Sequence, residues 1–231
     1  MPVNEFGQPV GAPLDWTPGP VLTATTLRGR HCTLQPLAQA HVSGLYAALC
    51  VDSPDSVWTY MSAGPFADVD AFGAYVADLL VRPATIPLAL LLPDGRPVGI
   101  ATYLRIDRAN GTAEVGNITY GSALQRTTAA TEAMYLMARH AFDVVGVRRY
   151  EWKCDALNQP SRDAAARLGF TFEGVFRQAL VYKGRNRDTA WFAITDDEWP
   201  QLKARFERWL DPGNFDEHGH QRTPLTTRRQ R

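Results

Sequence analysis

Cysteine, histidine and long apolar runs are all scarce in this chain, and each scarcity removes a class of protein. The three cysteines, Cys32, Cys50 and Cys154, are odd in number, far apart and without metal-ligand spacing, so neither a disulfide framework nor a zinc site is indicated. A reducing compartment is the expectation. His31, His41 and His140 have no spacing that suggests a metal site or a catalytic triad, and no metal is expected. No apolar stretch approaches the roughly 18 residues that cross a bilayer, and the amino terminus lacks a basic-then-apolar signal. The chain is therefore expected to be cytoplasmic and away from membranes. Neither sign of charge dominates, since 24 lysines and arginines meet 24 aspartates and glutamates. No net field recruits a polyanion, and direct nucleic-acid binding is not expected.

What remains is an ordinary globular composition. A chain of 231 residues, 45% hydrophobic and 21% charged, suffices for one domain with a full core. Residues 1–21 are rich in proline and glycine and lack sustained periodicity, so they read as an extended arm with Trp16 as its pin. Residues 22–211 form the body. Residues 212–231 read as a polar tail, disordered from Asp216 onward and finishing in "TTRRQR" as a solvated end.

Between arm and tail runs one alternating series. "RHCTLQPL" is a first strand, followed by a helix with Val42, Leu45, Tyr46 and Leu49 on one face and another with Val69, Phe72, Val76 and Leu79. "IPLALLL" and "PVGIATYLRID" flank the turn "PDGR" as an antiparallel hairpin, and "TAEVGNITY" is the fourth strand. A long helix follows within "ALQRTTAATEAMYLMARHAF", then the fifth strand "RRYEWKCD" and a short helix "PSRDAAARL" closed by Gly169. A last hairpin turns around Gly184 and Asn186. The final helix opens with Thr195 and Glu198 in capping-box spacing and buries Trp199, Leu202, Phe206 and Trp209. The order is βααβββαβαββα, an α/β (α+β) arrangement.

The start of the long helix, "QRTTAAT", is built of small side chains. A helix amino terminus carries unpaired N–H groups and partial positive charge, so it accepts phosphate oxygens where side chains let them approach. Tight packing of Ala130, Ala133, Met134 and Met137 on the sheet explains the same residues equally well.

The chain resembles the GNAT superfamily of acyl-CoA-dependent N-acyltransferases, in the branch of RimJ/RimL-type ribosomal-protein N-terminal acetyltransferases. The family's pyrophosphate loop corresponds to Gln125, Arg126, Thr127, Thr128, Ala129 and Ala130, with Thr128 where glycine is usual. The stronger match is "NQPSRDAAARLGFTFEGVFRQ", which carries the branch's Asn and Ser before the short helix, then L-G-F and E-G. The resemblance implies a mixed, mostly antiparallel sheet whose fourth and fifth strands splay to admit the pantetheine arm of acetyl-CoA. It implies that the backbone of Asn117, Ile118, Thr119 and Tyr120 pairs with that arm. The N–H groups from Arg126 to Thr131 would hold the pyrophosphate, while Asn158 and Ser161 would face pantetheine and sulfur.

The reaction so implied is direct attack of a primary amine on the thioester, with coenzyme A as product. An amine attacks only when neutral, and its pKa runs from about 8 for a peptide terminus to roughly 10.4 for lysine, so a base is needed. Glu114, on the fourth strand where many superfamily members carry a carboxylate, is the candidate. The strand after E-G, "VFRQALVYK", offers no acid. The position of the usual tyrosine acid is Ala165, so Ser161 is assigned to stabilise the leaving thiolate. Trp58 and Tyr60, between the two early helices, and Tyr182 are candidates for the acceptor pocket. Glu132 suits the helix dipole and reads as structural. The acceptor stays open between a protein N-terminus and a small-molecule amine, as does a homodimer. The alternatives are transfer of a larger acyl group, or a non-catalytic acyl-CoA-binding or ribosome-interaction module on the same fold.

Overall fold

The computed structural model describes residues 1–226. The last arginines of the tail lie outside the described residues. A two-residue strand β1 (Leu27–Arg28) turns into β2 (Thr33–Pro36), and after the helices α1 (Val42–Tyr46) and α2 (Val69–Val81) come β3 (Ile86–Leu91), β4 (Pro97–Asp107) and β5 (Thr112–Tyr120). The long helix α3 (Thr128–Arg139) leads to β6 (Arg149–Asp155), α4 (Gln159–Leu168), the hairpin β7 (Thr171–Tyr182) and β8 (Arg185–Thr195), and α5 (Trp199–Leu210). The expected order holds, with β1 added in front, so the expected fourth and fifth strands are β5 and β6.

The strands form one sheet in the order β1-β2-β3-β4-β5-β6-β8-β7. Every pairing is antiparallel except β5 with β6. β3 and β4 are buried on both faces, which is why they read as continuous apolar runs. Leu88, Leu90, Val98, Ala101 and Tyr103 face a large core shared with α3, α4 and α5. Ala89, Leu91 and Ile100 face a second core under α1 and α2. On α2 the buried stripe is Phe72, Tyr75, Val76 and Leu79, while Val69, at the helix start, is exposed.

Helix ends follow local chemistry. Asn158 caps α4 by accepting the Ser161 N–H at 3.1 Å, and Gly169 ends it in the left-handed region at φ 97°. Before α5 the Glu198 carboxylate reaches back to the Thr195 N–H at 2.8 Å, as capping-box spacing suggests, but Thr195 is still strand and the helix starts only at Trp199. The β7–β8 connection is the two-residue turn Lys183–Gly184, both with positive φ, the geometry that matches strand twist.

Trp16 does pin the arm: its indole N–H donates to the Gly146 carbonyl at 3.3 Å and the Arg148 guanidinium lies over its ring. The tail departs from expectation. Its described part folds back, with Gln221 accepting the Trp209 indole N–H at 2.7 Å and Leu225 only 2% exposed in the main core. Phe215 packs edge-on against Trp209 as well, so two apolar residues help dock the polar segment.

Candidate active site

The site begins where β5 and β6 part. They pair in parallel from Thr112 with Arg149 to Val115 with Trp152, and no further. Beyond that point Asn117 takes a positive φ of 49°, a bulge that bends β5, while β5 stays paired to β4 up to Tyr120 with Gly99. The β6-facing edge of β5 is therefore left without a strand. The resulting cleft, of about 230 Å³, is lined among others by Tyr60, Glu114, Asn117, Ile118, Asn158 and Ser161.

Glu114 stands at the apex, 6% exposed. Parallel register sets Glu114 beside Glu151, two like charges, and Lys153 resolves the conflict by contacting both carboxylates at 2.8 Å. The Lys153 ammonium also lies 3.6 Å from the centre of the Trp191 ring. The two acids are then driven apart. Burial raises the Glu114 carboxyl above its ordinary value, although Lys153 pulls against it. Burial works against Glu151 too, but hydrogen bonds from Lys153 and Arg149 hold Glu151 below its ordinary value. Gly116 makes the space: a Cβ there would come within 3.0 Å of the Glu114 carboxylate.

On the other wall, Trp152 donates its indole N–H to Ser161 Oγ at 3.0 Å. That bond uses a lone pair and leaves the serine hydroxyl hydrogen as a donor, with the Cys154 sulfur beside it. Ser161 does not cap α4; Asn158 does, and it lines the cleft from the cap position. The Cys154 thiol is raised by burial, with the neighbouring Ser161 hydroxyl opposing.

At the helix start, Thr127 is the N-cap of α3, accepting the Ala130 N–H at 3.1 Å and donating to the Leu124 carbonyl at 2.7 Å. This narrows the expected anion cradle. The Ala130 amide is taken by the cap and the Thr131 amide belongs to the helix ladder, which leaves Thr128 and Ala129 as the first helical N–H groups without an intrahelical acceptor. The backbone strain sits at Arg126, φ 60°, and Thr128 is helical, so the place where the family usually has glycine does not need one here. Gln125 donates its side-chain amide to the Tyr120 carbonyl at 2.8 Å, tying this turn to β5. Thr119 is buried on β5, its hydroxyl without a partner.

The aromatics separate. Trp58, expected in the acceptor pocket, is core: it is wholly buried, donates its indole N–H to the Leu49 carbonyl at 3.2 Å and packs edge-on against Phe66, Phe72 and Tyr75. Tyr60 does line the cleft and donates its hydroxyl to the Leu157 carbonyl at 3.2 Å. Tyr182 donates to Asp155 at 2.8 Å, and burial and that carboxylate push its phenol up to about 12. Sequence reasoning missed Lys153, Asp155 and Arg187, all of which line the cleft. For Lys153 and Asp155 the signal was present in "EWKCD", where charges at alternate positions of a strand share one face, whereas Arg187 lies on β8.

With this geometry in place, comparison with known proteins is decisive for the family. The acetyltransferase (GNAT) domain family matches residues 31–171. The chain belongs to the GNAT acetyltransferase family. The crystal structure of a GCN5-related N-acetyltransferase from Brucella melitensis is 42% identical and superposes with a TM-score of 0.89, covering 91% of this chain and 96% of that one. The ribosomal-protein-serine acetyltransferase of Escherichia coli (strain K12) is 23% identical over 163 residues, 68% of this chain and 89% of that protein. A Bacillus subtilis (strain 168) protein provisionally named ribosomal N-acetyltransferase YdaF is 27% identical over 109 residues, 47% of this chain. That match spans 59% of YdaF, less than two thirds of its length. Relatives of this kind agree with the RimJ/RimL-like resemblance. Among the described residues no helix is long and apolar enough to cross a membrane.

Proposed function

We propose that the protein is an acetyl-CoA-dependent N-acetyltransferase in which a primary amine attacks the thioester directly. The observation that carries this reading is the placement of a buried, raised carboxylate, Glu114, where β5 loses its partner strand. The residues suit the cosubstrate. An unpaired strand edge at Asn117–Tyr120 supplies backbone groups for an extended amide-bearing arm, Asn117 Nδ2 is a buried donor without a partner, and the Thr128 and Ala129 amides offer an anion site. When bound, acetyl-CoA supplies an acyl carbon bonded to a thiolate leaving group with a pKa near 8.5.

The chain then handles protons and position. Glu114 takes the proton that the ammonium must lose, directly or through one water. The new C–N bond replaces the C–S bond, the charge developing on sulfur accepts a hydrogen bond from the Ser161 hydroxyl, and the second proton lost by the nitrogen passes to that sulfur to give the coenzyme A thiol. Ser161→Ala is expected to lower kcat roughly tenfold, the worth of one hydrogen bond to a charged group, with little change in the KM for acetyl-CoA. Steady-state kinetics at saturating acceptor reads this, and an unchanged kcat removes the serine from the mechanism.

Thermal unfolding with and without acetyl-CoA tests the reading as a whole. At one hundred times its dissociation constant a ligand adds about 2.7 kcal/mol, which for this chain length raises the midpoint by about 5–10 °C. A shift given by acetyl-CoA and not by ATP supports the cleft assignment. No shift at millimolar acetyl-CoA, together with no thiol release from any amine, overturns it.

A further inference from the structure

The charged side chains lining the cleft are Arg82, Glu114, Lys153, Asp155 and Arg187. Four of them have partners. Arg82 pairs with Asp78, Glu114 with Lys153, Lys153 also with Glu151, and Asp155 accepts from the Leu157 N–H and the Tyr182 hydroxyl. Among the described residues the Arg187 side chain has neither a hydrogen bond nor an ion pair, and its Nε is buried without a partner. Its guanidinium lies 5.8 Å from the centroid of the Tyr182 ring.

The lack of partners continues along the strand. Thr189 Oγ1 and Trp191 Nε1 are also buried and unpartnered. Alternate residues of a strand share a face, so positions 187, 189 and 191 of β8 form one row. Register sets Thr189 beside Asp155 and Trp191 beside Lys153, both cleft residues. A guanidinium and an indole can only donate, and a threonine hydroxyl can donate as well. Within this row Arg187 is the residue that lines the cleft, and its guanidinium fork suits a carboxylate or phosphate in particular.

We propose that Arg187 selects acceptor amines that also carry an anionic group, a carboxylate or a phosphate, close to the reacting nitrogen. The inference rests on the acetyltransferase reading and narrows it. An acceptor that carries an anionic group gains a charge-assisted hydrogen bond to this guanidinium that a purely cationic amine lacks. Zwitterionic amines are then favoured over polyamines.

Matched pairs test this: α-amino acids against their amides, and phosphoethanolamine against ethanolamine, with spermidine as a purely cationic amine. In wild type the anionic member of at least one pair should have a kcat/KM at least about tenfold higher, the worth of one charge-assisted hydrogen bond. Which pair responds distinguishes carboxylate from phosphate. Arg187→Gln should erase the preference and Arg187→Lys should keep part of it, both with the acetyl-CoA midpoint shift intact. Equal rates within both pairs, a preference that survives Arg187→Gln, or loss of the acetyl-CoA shift in that variant overturns the proposal. Turnover of neutral or cationic amines alone overturns it while leaving acetyl transfer standing. Independently of turnover, millimolar anionic amine should raise the midpoint of the coenzyme A-bound wild type more than that of Arg187→Gln, and equal shifts also overturn it.

Discussion

Replacing Glu114 by glutamine is expected to lower kcat/KM for acetyl transfer by about 10²- to 10³-fold, the usual worth of a positioned general base. The acetyl-CoA midpoint shift should persist, because the strand edge and the helix start that suit the cosubstrate do not use the carboxylate. Glutamine keeps the shape and an acceptor oxygen, and Lys153 keeps its second partner, Glu151, at 2.8 Å. The pH dependence gives a second, independent readout. Burial raises the Glu114 carboxyl in the folded protein, so its active, deprotonated form is lost as pH falls through a midpoint above the ordinary carboxylate value. In wild type kcat/KM should therefore be full above that midpoint and decline below it, and this acid limb should be absent from the residual activity of Glu114→Gln. An unchanged rate in the variant would falsify the assignment of the base.

Glu132→Ala is expected to cost about 4 kcal/mol of stability, which for a chain of this length lowers the unfolding midpoint by about 8–15 °C. The reason is an accounting of donors. The Glu132 carboxylate, 6% exposed, accepts the backbone N–H groups of Arg30 at 2.8 Å, His31 at 2.6 Å and Cys32 at 3.0 Å. Alanine leaves all three donors of the β1–β2 turn unmet and opens a void beneath them. A Cβ at Gly29 would collide with the same carboxyl group, so the turn is shaped around it. Glu132→Gln, which retains one acceptor oxygen, should lose less. The effect should reach function as well. Glu132 fastens the first turns of α3 to β1–β2, so loosening it should weaken acetyl-CoA binding at the helix start. Calorimetry of the three proteins, with and without acetyl-CoA, checks both statements. Equal midpoints would show that the turn finds other acceptors.

The elements were largely legible in the chain because their signals are local. The apolar runs of β3 and β4, the closing Gly169 of α4, and the stripe of Trp199, Leu202, Phe206 and Trp209 each fall within a dozen residues. The site was legible only where a motif carried it. Glu114 and Ser161 do face one cleft, but the ionic partners of Glu114 come from β6, across a parallel pairing that no local pattern encodes. Trp58 was misplaced for the opposite reason. Large aromatics suit a pocket wall and a core equally, and only the ring of Phe66, Phe72 and Tyr75 around it decides. Thr127, counted in the sequence among the small side chains, caps the helix through its hydroxyl, a contact that the small-residue pattern does not announce.

The four-residue contact between β5 and β6 is a seam between two separately zipped halves. On one side antiparallel ladders join β1 to β5, and on the other they join β6, β8 and β7. A strand edge left bare invites a stray chain to dock, the first step of aggregation. Here the bare edge lies inside the cleft, beside β6 and the start of α4, rather than on the outside of the sheet. Of the two outer edges, β1 is only two residues long, while β7 is 12 residues long and open to solvent but broken by two register shifts and charged at Glu173 and Arg177. Sheltering one edge and spoiling the others lets the protein keep a sticky strand for its ligand without offering it to its neighbours.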